Sequence, residues 1–156
     1  VPQEKYPALG QRYRHHYIQH QNDISLFEGV LDMLDDLKSR HHWLTVATGK
    51  SRKGLDRIFG VLGLSDFFHA TRCADETASK PDPLMLSQLL GEFQVSAADA
   101  VMIGDTEYDM DMARRIKMPR IAVSYGAHHI DRLHPYEPEL CVDRFDQLLL
   151  WERLGA

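Results

Sequence analysis

Past residue 29 the hydrophobic positions change period repeatedly along the chain, and each change marks an element. Val30, Leu31, Leu34 and Leu37 fall at helical spacing, and Trp43 to Ala47 then reads as a short buried strand. Leu55, Ile58, Phe59 and Leu62 mark a second helix, closed by Gly63. Phe67 to Ala70 predicts a strand, and Pro83 stands at the first helical position before Leu86, Leu89 and Leu90. Ala100 to Ile103 predicts a strand ending at Gly104, followed by a helix over about 107–117. Arg120 to Val123 and Leu140 to Val142 predict two more strands, and Phe145 to Leu154 a closing helix. Strands alternating with helices predict an α/β fold with an open, largely parallel sheet and flanking helices.

Residues 1–22 differ: they are polar, rich in Tyr and His, and hold no strand-like apolar run. Leu9, Tyr13, Tyr17 and Ile18 predict one moderately amphipathic helix over about 8–21.

Composition narrows the function. The chain has 156 residues, which suits one domain, and carries 18 Lys plus Arg against 23 Asp plus Glu, a formal charge of -5. That acidity argues against nucleic-acid binding, which selects a basic face. No apolar run approaches the roughly 18 residues of a membrane span, so no membrane partner is expected. Cys73 and Cys141 are too few for a disulfide framework or a structural zinc site. The expectation is a soluble cytoplasmic protein.

In parallel α/β sheets ligands bind at the carboxyl ends of strands, so the residues just after each strand carry the chemistry. These are Thr48-Gly49-Lys50-Ser51-Arg52-Lys53, then Lys80-Pro81-Asp82-Pro83, then Gly104-Asp105-Thr106-Glu107-Tyr108-Asp109. Thr48 can donate to a phosphoryl oxygen, and the Gly49 amide can approach one closely. The amides opening the next helix favour an anion. Lys80 supplies a point charge for a phosphate and for nearby carboxylates. Asp105 is a hard oxygen ligand suited to Mg²⁺, and Asp109, one turn later, can stand beside it. Crowded carboxylates need a cation or Lys80 to neutralise them.

Taken singly, Thr-Gly reads as a loop, Lys-Pro as a turn, and Asp and Thr as helix caps. In this order, after successive strands, they read as a site for a phosphoryl group beside a divalent metal. Lys50, Arg52 and Lys53 oppose the dipole of the helix they open, which marks either a functional site or a solvated basic loop. Arg114, Arg115 and Lys117 complement a helix end and read as structural. His16 and His20 have metal-ligand spacing but no third ligand, so they read as surface histidines. Cys73 reads as a half-buried small hydrophobe.

TVATGKS at 45–51, SKPDP at 79–83 and MIGDTEYDMDMA at 102–113 resemble motifs two, three and four of the haloacid dehalogenase superfamily of phosphatases. TRCADETASKPDP at 71–83 and AVSYGAH at 122–128 are similar to phosphoglycolate-phosphatase-like members. The resemblance covers about residues 24–154 and implies a Rossmann-like core, Mg²⁺ dependence, a phospho-aspartyl intermediate and a small phosphorylated metabolite as substrate. By position it implies that Thr48 binds the phosphoryl group and Lys80 stabilises it, beside the Gly49 amide already read as phosphate-binding. Asp105 would ligate Mg²⁺, and Asp109 would support the metal shell and Lys80. Residues 1–23 resemble the end of a helical cap domain, which leaves 24–156 as the core.

The family's first motif, an Asp-x-Asp ending an N-terminal strand and carrying the nucleophile, has no counterpart here. Asp109-Met110-Asp111 follows no strand and sits inside the fourth motif. The missing strand would lie between those at 43–47 and 100–103, leaving two open edges. A strand from a longer chain, or from a second copy by self-association, would fill that gap. Without it, residues 1–156 are expected not to turn over substrate.

Two rivals remain. A phosphate-binding protein that lost the nucleophile would keep the same residues. Receiver-type signalling modules also gather acids, a Thr or Ser and a Lys around Mg²⁺, but their acidic pair comes at the first strand. Here the acids come last, an order that disfavours a receiver.

Overall fold

The computed structural model describes residues 24–155. The helix expected over 8–21, the pair His16 and His20, and the cap assignment of 1–23 lie outside them. The elements run α1 (Val30–Ser39), β1 (Thr45–Thr48), α2 (Arg52–Leu62), β2 (Ala70–Cys73), α3 (Leu84–Phe93), β3 (Met102–Gly104), α4 (Glu107–Arg115), β4 (Arg120–Val123), β5 (Leu140–Val142) and α5 (Glu152–Gly155). Short 3₁₀ turns fill several of the connections. Among the described residues no helix is long and apolar enough to cross a membrane.

β1 and β3 each start two residues later and end one residue later than expected, and three further elements depart from the sequence reading. β2 starts at Ala70, where the expected strand ends, because its register is set by pairing Thr45 with Ala70 and Thr48 with Cys73. Phe68 instead stacks on Phe59 of α2, which holds 67–69 in the turn before the strand. Pro83 is the N-cap of α3 rather than its first residue, and Asp82 Oδ1 accepts the Leu84 N–H at 2.9 Å. The closing helix is broken into a 3₁₀ segment, Phe145–Leu150, and α5. Trp151 takes an extended conformation between them, and both Leu148 and Leu154 reach the core.

The strands form two separate parallel sheets, β1–β2 and β3–β4–β5. No ladder joins β1 to β3, in line with the expectation that these strands are not direct partners. Between them lies an apolar cleft of about 570 Å³, lined by Val46 and Ala47 of β1, Val101 to Ile103 around β3, and Leu34 of α1. The burial pattern reports the same gap. Ile121, Ala122 and Val123 of β4 are buried, with strands on both sides. All four residues of β1 remain only partly covered, because a strand with one open edge lacks half of its lateral neighbours.

The core has three centres. Met33 and Leu37 of α1 meet Ile121, Val123, Val142, Leu148 and Leu154 under the three-stranded sheet. Met85 and Leu86 of α3 meet Met112 and Ala113 of α4. This second cluster ties the two sheets together, since α3 packs on β1 and β2 while α4 packs on β3 and β4. Met110, Ala122 and Leu133 form the third.

α2 begins at Ser51, whose hydroxyl accepts the Gly54 N–H at 3.2 Å. Ser51→Ala is expected to cost about 1 kcal/mol, the usual worth of such a cap, measured as a lowered urea midpoint with an unchanged slope.

Candidate active site

The loop after β2 carries Lys80 across to α4, where its Nζ lies 2.6 Å from Asp109 Oδ1. That contact puts the carboxyl ends of the two sheets on the same side of the molecule. The pair is well covered, with side-chain exposures of 17% for Lys80 and 5% for Asp109. Asp109 also closes a capping box. Its Oδ2 accepts the Thr106 N–H at 3.1 Å and the Thr106 hydroxyl at 2.8 Å, while the Thr106 hydroxyl oxygen accepts the Asp109 N–H. Asp109 therefore caps the helix and pairs with Lys80 at once. One carboxylate organises the helix start and neutralises the lysine.

Asp105 sits on the connection between β3 and α4. Its Oδ2 accepts the Ala127 N–H at 2.7 Å, and its main-chain oxygen accepts the His128 N–H at 3.2 Å. His128 Nδ1 accepts the Glu107 N–H at 3.3 Å, and its ring meets Tyr108 edge-on at 5.6 Å. The segment after β4 thus wraps Asp105. The neighbouring Tyr125 phenol is pushed up in pKa, first by burial and then by the negative charge of Asp105.

Thr48 ends β1, and its hydroxyl accepts the Lys50 N–H at 3.2 Å. No hydrogen bond joins Thr48 to Lys80, Asp105 or Asp109 among the described residues. Of the amides at the start of α2 that the sequence offers to an anion, those of Arg52 and Gly54 are bonded within the protein. Arg52 N–H donates to both Asp75 oxygens, at 2.9 and 3.2 Å, and Gly54 N–H to Ser51. The Arg52 guanidinium binds Glu76 through Nε at 2.7 Å and Nη2 at 2.8 Å. This bonding raises the Arg52 pKa and lowers that of Glu76. Arg52 is thereby explained as structural. Cys73 is fully buried at the end of β2, beyond the half-burial expected of it, and Cys141 is exposed; both are free thiols.

Among the described residues no three His, Cys, Asp or Glu side chains gather as a self-sufficient metal cage. Asp109 has both oxygens engaged, whereas Asp105 Oδ1 takes no partner among the described residues. A single uncommitted carboxylate oxygen fits Mg²⁺, which is commonly held by one or two carboxylates with waters and substrate oxygens completing its octahedron.

A profile of the family described as haloacid dehalogenase-like hydrolase matches residues 2–123. The chain belongs to that family. It is 34% identical over 125 residues to a Dickeya dadantii protein named "Probable phosphatase IndB", a match covering 80% of this chain and 54% of that protein. It is 35% identical over 125 residues to the phosphoglycolate phosphatase of Caulobacter vibrioides, covering 79% and 53%. The chain spans about half the length of these curated relatives. A haloacid dehalogenase-like hydrolase from Streptococcus pneumoniae superposes with a TM-score of 0.84 at 23% identity, covering 97% of this chain and 72% of that one. That likeness establishes the fold.

Within this haloacid dehalogenase-like chain, Asp111 is drawn away from the site by Arg115 at 2.8 Å and Arg114 at 3.2 Å. Its carboxyl is lowered in pKa, chiefly by the hydrogen bond from Arg115. The Asp109-Met110-Asp111 run thus puts one acid on Lys80 and the other on surface arginines, which leaves neither to stand in for the first motif.

Proposed function

We propose that this chain is the core of a Mg²⁺-dependent phosphomonoester hydrolase that acts in the cytoplasm on a small phosphorylated metabolite resembling phosphoglycolate. The observation that carries the reading is the covered Lys80–Asp109 pair beside Asp105, with an uncommitted Asp105 oxygen on the same carboxyl edge. In this reading the Thr48 hydroxyl and the Gly49 amide hold phosphoryl oxygens. Lys80 offsets their negative charge, and Asp109 holds the Lys80 ammonium in place. Asp105 holds Mg²⁺, which when bound offsets the charge that builds up on the transferring phosphoryl group.

The reaction needs a carboxylate nucleophile in line with phosphorus. Its oxygen would attack phosphorus as the ester P–O bond breaks, and the leaving oxygen would take a proton. Water would then cleave the acyl phosphate, releasing inorganic phosphate and restoring the carboxylate. None of the described site residues is free for that role: Asp105 is assigned to the metal and Asp109 to Lys80. The cleft between β1 and β3 supports a source for it, because a strand seated there parallel to both would end at the same edge.

Phosphate release from 2-phosphoglycolate and from p-nitrophenyl phosphate tests the reading. A polypeptide limited to residues 1–156 is expected to release none above buffer. One preceded by an apolar strand ending in Asp-x-Asp is expected to be active, and only with Mg²⁺. Release by residues 1–156 alone overturns the need for an added carboxylate, and inactivity of the extended, folded polypeptide overturns the phosphatase reading. If a second copy supplies the strand, specific activity climbs with protein concentration.

A further inference from the structure

Asp105 is positioned by backbone that arrives from another strand. The segment after β4 backs its carboxylate closely enough that Gly126 has no room for a side chain. A Cβ there would lie 2.0 Å from Asp105 Cβ and 2.4 Å from Oδ2. The next residue, Ala127, donates its N–H to that same Oδ2 at 2.7 Å, the length of a charge-assisted bond. His128 N–H then fixes the Asp105 main-chain oxygen. Three consecutive residues therefore restrain both the backbone and the carboxylate of Asp105, and they leave only Oδ1 uncommitted.

We propose that the 126–128 segment is a carboxylate clamp that selects the metal, with Gly126 and Ala127 as positioning residues. The proposal rests on Asp105 being a metal ligand. With Oδ2 bonded and backed by 126–127, Asp105 offers Oδ1 more readily than both oxygens together, so chelation through two is disfavoured. One-oxygen ligation suits a small ion that demands an octahedron, such as Mg²⁺ or Mn²⁺. Ca²⁺ accepts bidentate carboxylates in larger, looser shells, so the clamp works against it. A carboxylate already frozen in place also loses less conformational freedom when the ion binds.

The test is metal binding without substrate: Mn²⁺ titration of the protein followed by electron paramagnetic resonance, with Ca²⁺ as competitor. Wild type is expected to prefer Mn²⁺. Gly126→Ala displaces the carboxylate and Ala127→Pro deletes the donor. Each is expected to weaken Mn²⁺ binding at least tenfold while leaving Ca²⁺ binding unchanged or tighter. Variants that melt like wild type and bind both ions like wild type overturn the clamp, as does wild type that binds no Mn²⁺. Asp105→Asn separates the two readings. Undiminished Mn²⁺ binding by that variant removes Asp105 as the ligand, whereas its loss beside an unaffected Gly126→Ala removes the clamp alone. In wild type, amide NMR is expected to show the Ala127 N–H still hydrogen-bonded when Mg²⁺ is added. Release of that bond by Mg²⁺ overturns the proposal even if both loop variants fail to fold.

Discussion

Asp109→Ala is expected to lower the unfolding free energy by about 3–5 kcal/mol, the cost of leaving one member of a buried ion pair alone. Asp109 is only 4% exposed and meets Lys80 at 2.6 Å. Truncation leaves the Lys80 ammonium in a largely covered position without its counter-charge. It also opens the capping box at Thr106, itself worth about 1 kcal/mol. Three variants separate these contributions. Thr106→Ala removes the cap and keeps the pair, so it should cost about 1 kcal/mol. Lys80→Met strands the carboxylate, which still accepts two bonds from Thr106, so it should cost less than Asp109→Ala. Lys80→Met combined with Asp109→Ala removes both charges and should be more stable than Asp109→Ala alone. Urea unfolding gives all four values. If Asp109→Ala costs no more than Thr106→Ala, the ion pair contributes nothing to stability and its place at the site is chemical only.

The residues of this pair were legible in the sequence because each follows an apolar run that reads as a strand. Strand ends point chemistry to one edge, so Thr48, Lys80, Asp105 and Asp109 could be named from their order alone. The need for a cation among the carboxylates also followed from charge, and Lys80 meets it across 29 positions of sequence. The clamp on Asp105 was not legible in this way. Its donors are main-chain amides, which any residue but proline supplies, so the side chains of Ala127 and His128 give no signal. Gly126 stands in the sequence only as one residue of AVSYGAH, and its meaning depends on how closely Asp105 approaches it. The commitment of the α2 amides was hidden for a similar reason, because Asp75 reaches Arg52 from the far end of β2. The start of β2 is hidden because Phe67 and Phe68 look like a strand, yet Phe68 packs on α2 while Ala70 begins the pairing. The gap between the sheets was legible only through the family resemblance. Periodicity identifies strands but does not say which of them are neighbours.

Gly104→Ala should have the second large effect, about 3 kcal/mol, at the upper end of what overpacking costs. A Cβ at 104 would lie 2.4 Å from Asp109 Cβ, 2.7 Å from its Cγ and 2.8 Å from its Oδ2. Flexible neighbours move aside cheaply, but these atoms are held from three directions: by Lys80, by Thr106 and by the first turn of α4. The helix must lift from β3, or the ion pair must break. The geometry makes a sharper forecast for double variants. Asp109→Ala removes the carboxylate but keeps the Cβ that makes the shortest contact, so it should not rescue Gly104→Ala. Asp109→Gly removes that Cβ as well, and the combined cost should fall below the sum of the single costs by about 1–3 kcal/mol. Equal coupling in both pairs would place the conflict at the carboxylate instead of the backbone-proximal carbon. A Gly104→Ala variant within about 0.5 kcal/mol of wild type, the ordinary range for harmless surface changes, would mean that β3 and α4 have slack between them. In that case the close approach of strand and helix could not be what holds Asp109 against Lys80.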